Sequence, residues 1–293
     1  MLSRYLLALL VSAATVLGQE TYEQAHESWQ KDRVARLMAP DSWLTLVGRH
    51  PLKSGENSVG TAPDNSIQIA SGPPYLGTVT LDAGVVTFRP APSSMARVAG
   101  ATGRTAQLHY RTEKPTRVTF GSANFYIMPR GDELFLRVRD LEAPNLRDFS
   151  GIDYFPLEPA WRIEARWVPF AKPRMIPVTN MIGQTSPAPV PGKAVFTHEG
   201  RTVELLPIDE GGDYLFFVLT DLTAGEEAYD ASRFLYAAKP KAGDTTIVLD
   251  FNRMQNPPCA FTEFATCPLP PKENQMPFRV TAGEKKYRGP SAP

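Results

Sequence analysis

Two hydropathy patterns divide the chain. Residues 21–38 carry apolar side chains at helical spacing, with Tyr22, Ala25, Trp29 and Leu37 on one face and Val34 off it. Thr21 followed three residues later by Gln24 is a capping-box pattern, and Pro40 closes the segment. One helix is therefore predicted over 21–38, packed on the domain that follows. From residue 43 the period drops to two. Runs at 43–47, 66–69, 77–81, 85–88, 106–110, 117–120, 124–128 and 133–138 read as short strands. Asp82-Ala83-Gly84 between two of them is a hairpin signal. Residues 141–160 hold Pro144, Pro156 and Pro159 with little periodicity, and read as a crossover. Then Trp161, Ile163, Ala165 and Trp167 alternate with Arg162, Glu164 and Arg166 as an amphipathic strand. Runs at 194–197 and 202–206 flank a second hairpin signal, His198-Glu199-Gly200, and further strands are expected at 214–219, 234–237, 246–249 and 278–281.

The pattern predicts an all-β protein with a short N-terminal helix and two β-rich domains. The expected units are a segment 1–18, a helix within 19–40, a sandwich over 41–145 and a C-terminal β-rich domain over 146–293. Residues 250–271 stand apart, with both cysteines among five prolines and three phenylalanines. Proline fixes φ and removes a donor, so this run is predicted to be neither a regular helix nor a central strand.

Segment 1–18 changes the compartment. Arg4 precedes a largely apolar stretch that ends Val16-Leu17-Gly18, the plan of a cleaved export signal. The apolar stretch is short for a membrane span, and no later segment is apolar enough. The mature chain is thus expected outside the cytoplasm, periplasmic or extracellular, with no stable membrane insertion. In that setting Cys259 and Cys267 are expected to pair, closing a short loop worth roughly 2–3 kcal/mol. Formal net charge is zero, which argues against nucleic acid as a partner, though a local patch stays open.

In the first half, Gly55-Glu56-Asn57-Ser58-Val59-Gly60, then Asn65-Ser66-Ile67-Gln68-Ile69 and Gly77-Thr78-Val79, resembles the strand plan of a forkhead-associated sandwich. That family binds phosphothreonine through an arginine after the glycine and a downstream Ser-x-x-His. Here Thr61 follows Gly60, and Pro74-Tyr75-Leu76-Gly77 stands where the serine and histidine belong. The resemblance implies a fold and speaks against phosphopeptide recognition.

No nucleophile elbow, zinc-binding helix motif, phosphate-binding glycine loop or dinucleotide fingerprint is present, and the four histidines lack acidic partners at ligand spacing. No cofactor and no transition-metal site is expected. What remains is a polar constellation on loops after strands in the second half: Asp221, Tyr229, Arg233, Asp250, Asn252, Asn256, Cys259 and Asn274. Meeting at one rim, these groups would form a pocket with an Arg anchor, or a network that satisfies loop backbone. The runs TDLTAGEEAYDASRFLY and VLDFNRMQNPPCAFTEFATCPLPPKENQMPFRVTAGEKKY resemble an uncharacterised prokaryotic family, domain of unknown function 1684. Ala228, Ser232 and Met254-Gln255 depart mildly from its pattern. The resemblance, read as covering nearly all of the mature chain, implies no known activity. It also implies cytoplasmic relatives with reduced thiols, which counts against the disulfide.

The leading expectation is an exported, non-catalytic binding or interaction module for a small molecule or protein. The alternatives are a hydrolase using Asp221 or Asp250 as base with Arg233, and a calcium or magnesium module built on Asp221, Glu227 and Asp250.

Overall fold

The computed structural model describes residues 20–101 and 104–290, so segment 1–18, expected to be an export signal, lies outside the described residues. Helix α1 (Tyr22–Met38) has Thr21 as its N-cap, with both capping-box bonds to Gln24 made. Its buried stripe runs through His26, Arg33 and Leu37, so two polar residues occupy the face that hydropathy assigned to apolar ones. The reason lies in what α1 meets. It docks on the C-terminal half and not on the sandwich that follows it in sequence. Tyr22 reaches Asp250, Arg33 reaches Glu284, and Leu37 joins a core with Phe216 and Phe261.

The first half is a β-sandwich. One sheet contains β1 (Leu46–Pro51), β6 (Arg97–Val98), β8 (Val118–Phe120), β9 (Ala123–Arg130) and β10 (Glu133–Asp140), in the order β1-β10-β9-β8-β6. The other contains β2 (Gly55–Gly60), β3 (Ile67–Gln68), β4 (Gly77–Asp82), β5 (Val85–Pro90) and β7 (Ala106–Gln107), in the order β3-β2-β4-β5-β7. Alternation along each strand sends Val59, Val79, Phe88, Phe125, Leu136 and Val138 into one core, where Phe88 meets Phe125 edge-on at 5.4 Å. The β4–β5 hairpin turns on Ala83 and Gly84, both at positive φ, as a two-residue turn of matching twist demands. The first strand starts later than the sequence predicts. Residues Trp43–Thr45 form a 3₁₀ turn, because Arg139 binds the Ser42 carbonyl and the Thr45 hydroxyl and winds the chain there.

A short helix α2 (Pro144–Arg147) leads into the second half. Strands β11 (Arg162–Thr179), β12 (Thr185–His198), β13 (Arg201–Leu205) and β16 (Thr246–Asp250) form a sheet in the order β13-β12-β11-β16. Strands β14 (Tyr214–Leu219) and β15 (Arg233–Ala238) pair as a ribbon. The ribbon is buried on both faces. Leu215, Phe217, Leu219 and Leu235 meet Trp167, Phe196 and Leu249, while Phe216, Val218 and Phe234 meet Phe261 and the two cysteines. This explains the near-continuous apolar run of β14.

Residues 278–281 are not a strand. Their backbone groups are taken by side chains and loops: Val280 N–H donates to Asp221, and the Val280 and Ala282 carbonyls accept from Arg233. The Cys–Pro segment is irregular as expected, with 3₁₀ turns at Phe251–Arg253 and Pro258–Ala260.

Candidate functional site

Asp221 follows β14 and Arg233 opens β15, so the ribbon brings them within reach. Arg233 donates to Asp221 Oδ2 at 2.5 Å, to the Ala282 carbonyl at 2.6 Å and to the Val280 carbonyl at 2.8 Å. Asp221 Oδ1 accepts from the Thr223 amide (2.9 Å), the Thr223 hydroxyl (2.7 Å) and the Val280 amide (3.0 Å). The side chains are 1% and 2% exposed. Burial pulls the Arg233 guanidinium below its ordinary pKa, against the attraction of Asp221 and Glu284.

The other predicted residues join separate networks. Asp250 accepts from the Tyr22 hydroxyl at 2.8 Å and pairs with Arg253 at 3.3 Å. Asn252 bonds the Tyr22 hydroxyl and both backbone groups of Glu158. Burial, then the bond to Asp250, raises the Tyr22 pKa. Asn256 donates its amide N–H to Glu284 (2.6 Å) and its side chain to the Lys285 carbonyl (2.8 Å). Asn274 clamps Leu206 through both backbone groups and donates to the Val218 carbonyl. Tyr229 is buried in the core that also holds Leu37 and Phe234, which raises its pKa. Cys259 and Cys267 form a disulfide, each N–H donating to the other residue's sulfur. Asp221 and Arg233 are thus brought together, and the eight residues do not share one cavity.

The three carboxylates of the cation reading also go separate ways. Asp221 pairs with Arg233, Asp250 with Tyr22 and Arg253, and Glu227 with Arg279 at the surface. No group of three or more His, Cys, Asp or Glu side chains is placed to hold a metal among the described residues.

Two features escaped the sequence. Arg33 on α1 is buried and binds Glu284 at 2.7 Å and the Asn256 carbonyl at 3.0 Å, locking the helix to the C-terminal loops. Its only sequence signal is its spacing on the helical stripe with His26 and Leu37. The second is a cleft of about 430 Å³ where the two halves meet, lined by Arg130, Asn180, Gln184, Ser186, Glu210 and Phe216 among others. None of the eight predicted residues lines it. Glu210 is a carboxyl whose pKa burial raises.

The fold and these networks define an all-β protein whose N-terminal helix and C-terminal loops are cross-braced by buried polar side chains. Over residues 147–285 the chain belongs to the family described as "Protein of unknown function (DUF1684)". The match begins at residue 147, so the N-terminal extension of the resemblance read from the sequence lies outside it. A solution NMR structure of an uncharacterized protein from Haloarcula marismortui is 30% identical, covers 48% of this chain and 80% of its own, and has a TM-score of 0.41. No curated protein matches the chain. No helix among the described residues is long and apolar enough to cross a membrane.

Proposed function

We propose that the protein is an exported, non-catalytic binding or interaction module, and that the Asp/Arg/Asn motif braces its C-terminal half. The observation that carries this reading is the saturation of Asp221 and Arg233 by each other and by backbone at near-zero exposure. A general base needs a free lone pair beside substrate, and a substrate anchor needs a guanidinium edge open to a pocket. Neither is available on this pair. The Cys259–Cys267 disulfide supports an oxidising compartment and, with it, export. Separate apolar cores in the two halves support units at about 41–145 and 146–293, and the two five-stranded sheets support a forkhead-associated-like first unit. Its Thr61 and Ala62 amides bond the Pro73 and Pro74 carbonyls, so these donors of the loop are already used.

The test is a panel of generic chromogenic esters, phosphomonoesters and peptide anilides with the mature chain. No turnover above background is expected, and Asp221→Asn should lower the melting temperature. Turnover that Asp221→Asn abolishes while melting stays unchanged would overturn the reading in favour of the hydrolase.

A further inference from the structure

The outer face of the β1-β10-β9 sheet is turned toward the C-terminal half and is crowded with arginine. Alternation puts Leu134, Leu136 and Val138 in the sandwich core and sends Phe135, Arg137 and Arg139 to the other side. On β9 the same face carries Tyr126, Met128 and Arg130, and β1 adds Arg49 directly opposite Arg137. Tyr126, Met128 and Phe135 are a small buried apolar cluster, so this is a covered face and not a solvated one.

Five guanidinium groups belong to this region, of which Arg117 has a counter-charge and Arg139 has oxygen acceptors, though the Arg139 Nε is itself buried without a partner among the described residues. Arg117 pairs with Asp41 at 2.7 Å, and Arg139 binds the Ser42 carbonyl and the Thr45 hydroxyl. Arg49, Arg130 and Arg137 have no carboxylate within ion-pair distance among the described residues. Arg137 is 5% exposed. It stacks on Trp43 at 4.9 Å and donates to the Met128 sulfur and, at 3.5 Å, to the Tyr126 hydroxyl. Arg49 lies over Phe135 at 5.7 Å. Buried nitrogens on all three, Arg49 Nη1, Arg130 Nε and Arg137 Nε, have no hydrogen-bond partner among the described residues. Burial pulls Arg49 and Arg137 below their ordinary pKa, and the charge of Arg130 adds to the effect on both.

Like charges placed opposite each other in a sheet destabilise it, and a buried cation without a counter-charge costs several kcal/mol. The ring stacks and the bonds to Met128 and Tyr126 offset part of this cost but supply no counter-charge. Glu133 stands opposite Arg130 in the sheet, but its carboxylate accepts from Gln184 and reaches no arginine within ion-pair distance, and Glu210 makes no ion pair among the described residues. Of the three, Arg130 lines the cleft between the halves, while Arg49 and Arg137 lie behind it on the same sheet face. Guanidinium groups in this number match the oxygens of carboxylates and phosphates, to which they bind in two-pronged fashion.

We propose that the junction is a binding site for a small organic anion, its oxyanion head held by Arg130 at the cleft wall and drawn by the charges of Arg49 and Arg137 behind it, and its body in the cleft against Phe216. This names a ligand class for the binding module above and rests on that reading. The site is built from the sheet face and not from the loops where a forkhead-associated domain takes phosphate.

The test is thermal melting of the full mature chain in graded inorganic phosphate or graded citrate, each against sodium chloride at equal ionic strength. A saturable rise of roughly 5–10 °C is expected at about a hundred times the dissociation constant. Saturation in the phosphate arm assigns a phosphate head, and saturation in the citrate arm alone assigns a carboxylate. Arg137→Met should fold, with a melting temperature in chloride at or above that of the wild type, and should lose the saturable rise. Arg49→Gln, at a half-buried position, should weaken it at least tenfold and guards against misfolding of the first variant. An equal, non-saturating rise in wild type and both variants is a general salting effect and overturns the site. So does a wild type that does not respond. Turnover in the chromogenic panel would sink the binding reading by itself and leaves this melting result unaltered, so the two fail separately.

Discussion

Replacing Arg233 by methionine removes the cation at the centre of the C-terminal brace while keeping much of its volume. Asp221 would keep three donors but lose its charge partner at 2% side-chain exposure, and the Val280 and Ala282 carbonyls would lose their donor. Breaking a buried pair from one side costs about 3–5 kcal/mol, and each orphaned carbonyl adds to that. These terms are not additive, so about 3–5 kcal/mol is the working figure for the whole substitution. For a chain of this size that is a fall in melting temperature of roughly 6–20 °C. Urea unfolding followed by tryptophan fluorescence reads the change as a lower midpoint at constant slope. Adding Asp221→Leu should recover only part of the loss, because Asp221 also satisfies the Thr223 and Val280 amides, which leucine cannot. A single variant within about 0.5 kcal/mol of wild type would refute the bracing argument, since that is what a solvated surface substitution costs.

Three further outcomes follow from the same geometry. Reducing the Cys259–Cys267 bond, or replacing both cysteines by alanine, should cost about 2–3 kcal/mol, read from urea midpoints with and without reductant. Gly283→Ala should be strongly destabilising and give little folded protein by circular dichroism, because φ is +78° and a Cβ would lie 2.5 Å from the Met254 carbonyl oxygen. His26 is 4% exposed, and burial holds its pKa below the usual value, with Asp250 opposing and Arg253 assisting. The unfolded chain then takes the proton first. This contribution to stability is present above about pH 6.5 and is lost as pH falls through the depressed folded value, and His26→Gln should flatten that limb of the melting profile.

Local physics made most of the fold readable. The turns at Ala83-Gly84 and Glu199-Gly200 announce themselves because two positive φ values in a row narrow the choice of residues. The helix start is legible because its cap lies three residues from its partner. Strand alternation failed where a side chain outbid the ladder. Residues 278–281 read as a strand, but Arg233 and Asp221 hold their backbone groups instead. The destination of α1 was illegible for a related reason. Its docking is decided by Arg33–Glu284 and Tyr22–Asp250, pairs more than two hundred residues apart whose members look like ordinary surface groups when read locally.

The arginines of the β1-β10-β9 face show the same limit with the opposite sign. Along β10, leucine or valine alternating with Phe135, Arg137 and Arg139 is the signature of a half-solvated strand. The 3₁₀ turn at Trp43–Thr45 covers part of that outer face, and the C-terminal half meets it through contacts such as Gln184 to Glu133 and Thr262 to Leu46. A charge unremarkable in water then becomes a buried cation that needs a counter-charge. The net charge of zero hides this, because it sums over the whole chain, where Asp221 serves Arg233 and Glu284 serves Arg33 far from this face. The paired motif in the second half accounts for its own charges, whereas the sheet face does not account for its charges. A ligand is therefore better sought at the junction than at the Asp221–Arg233 pair.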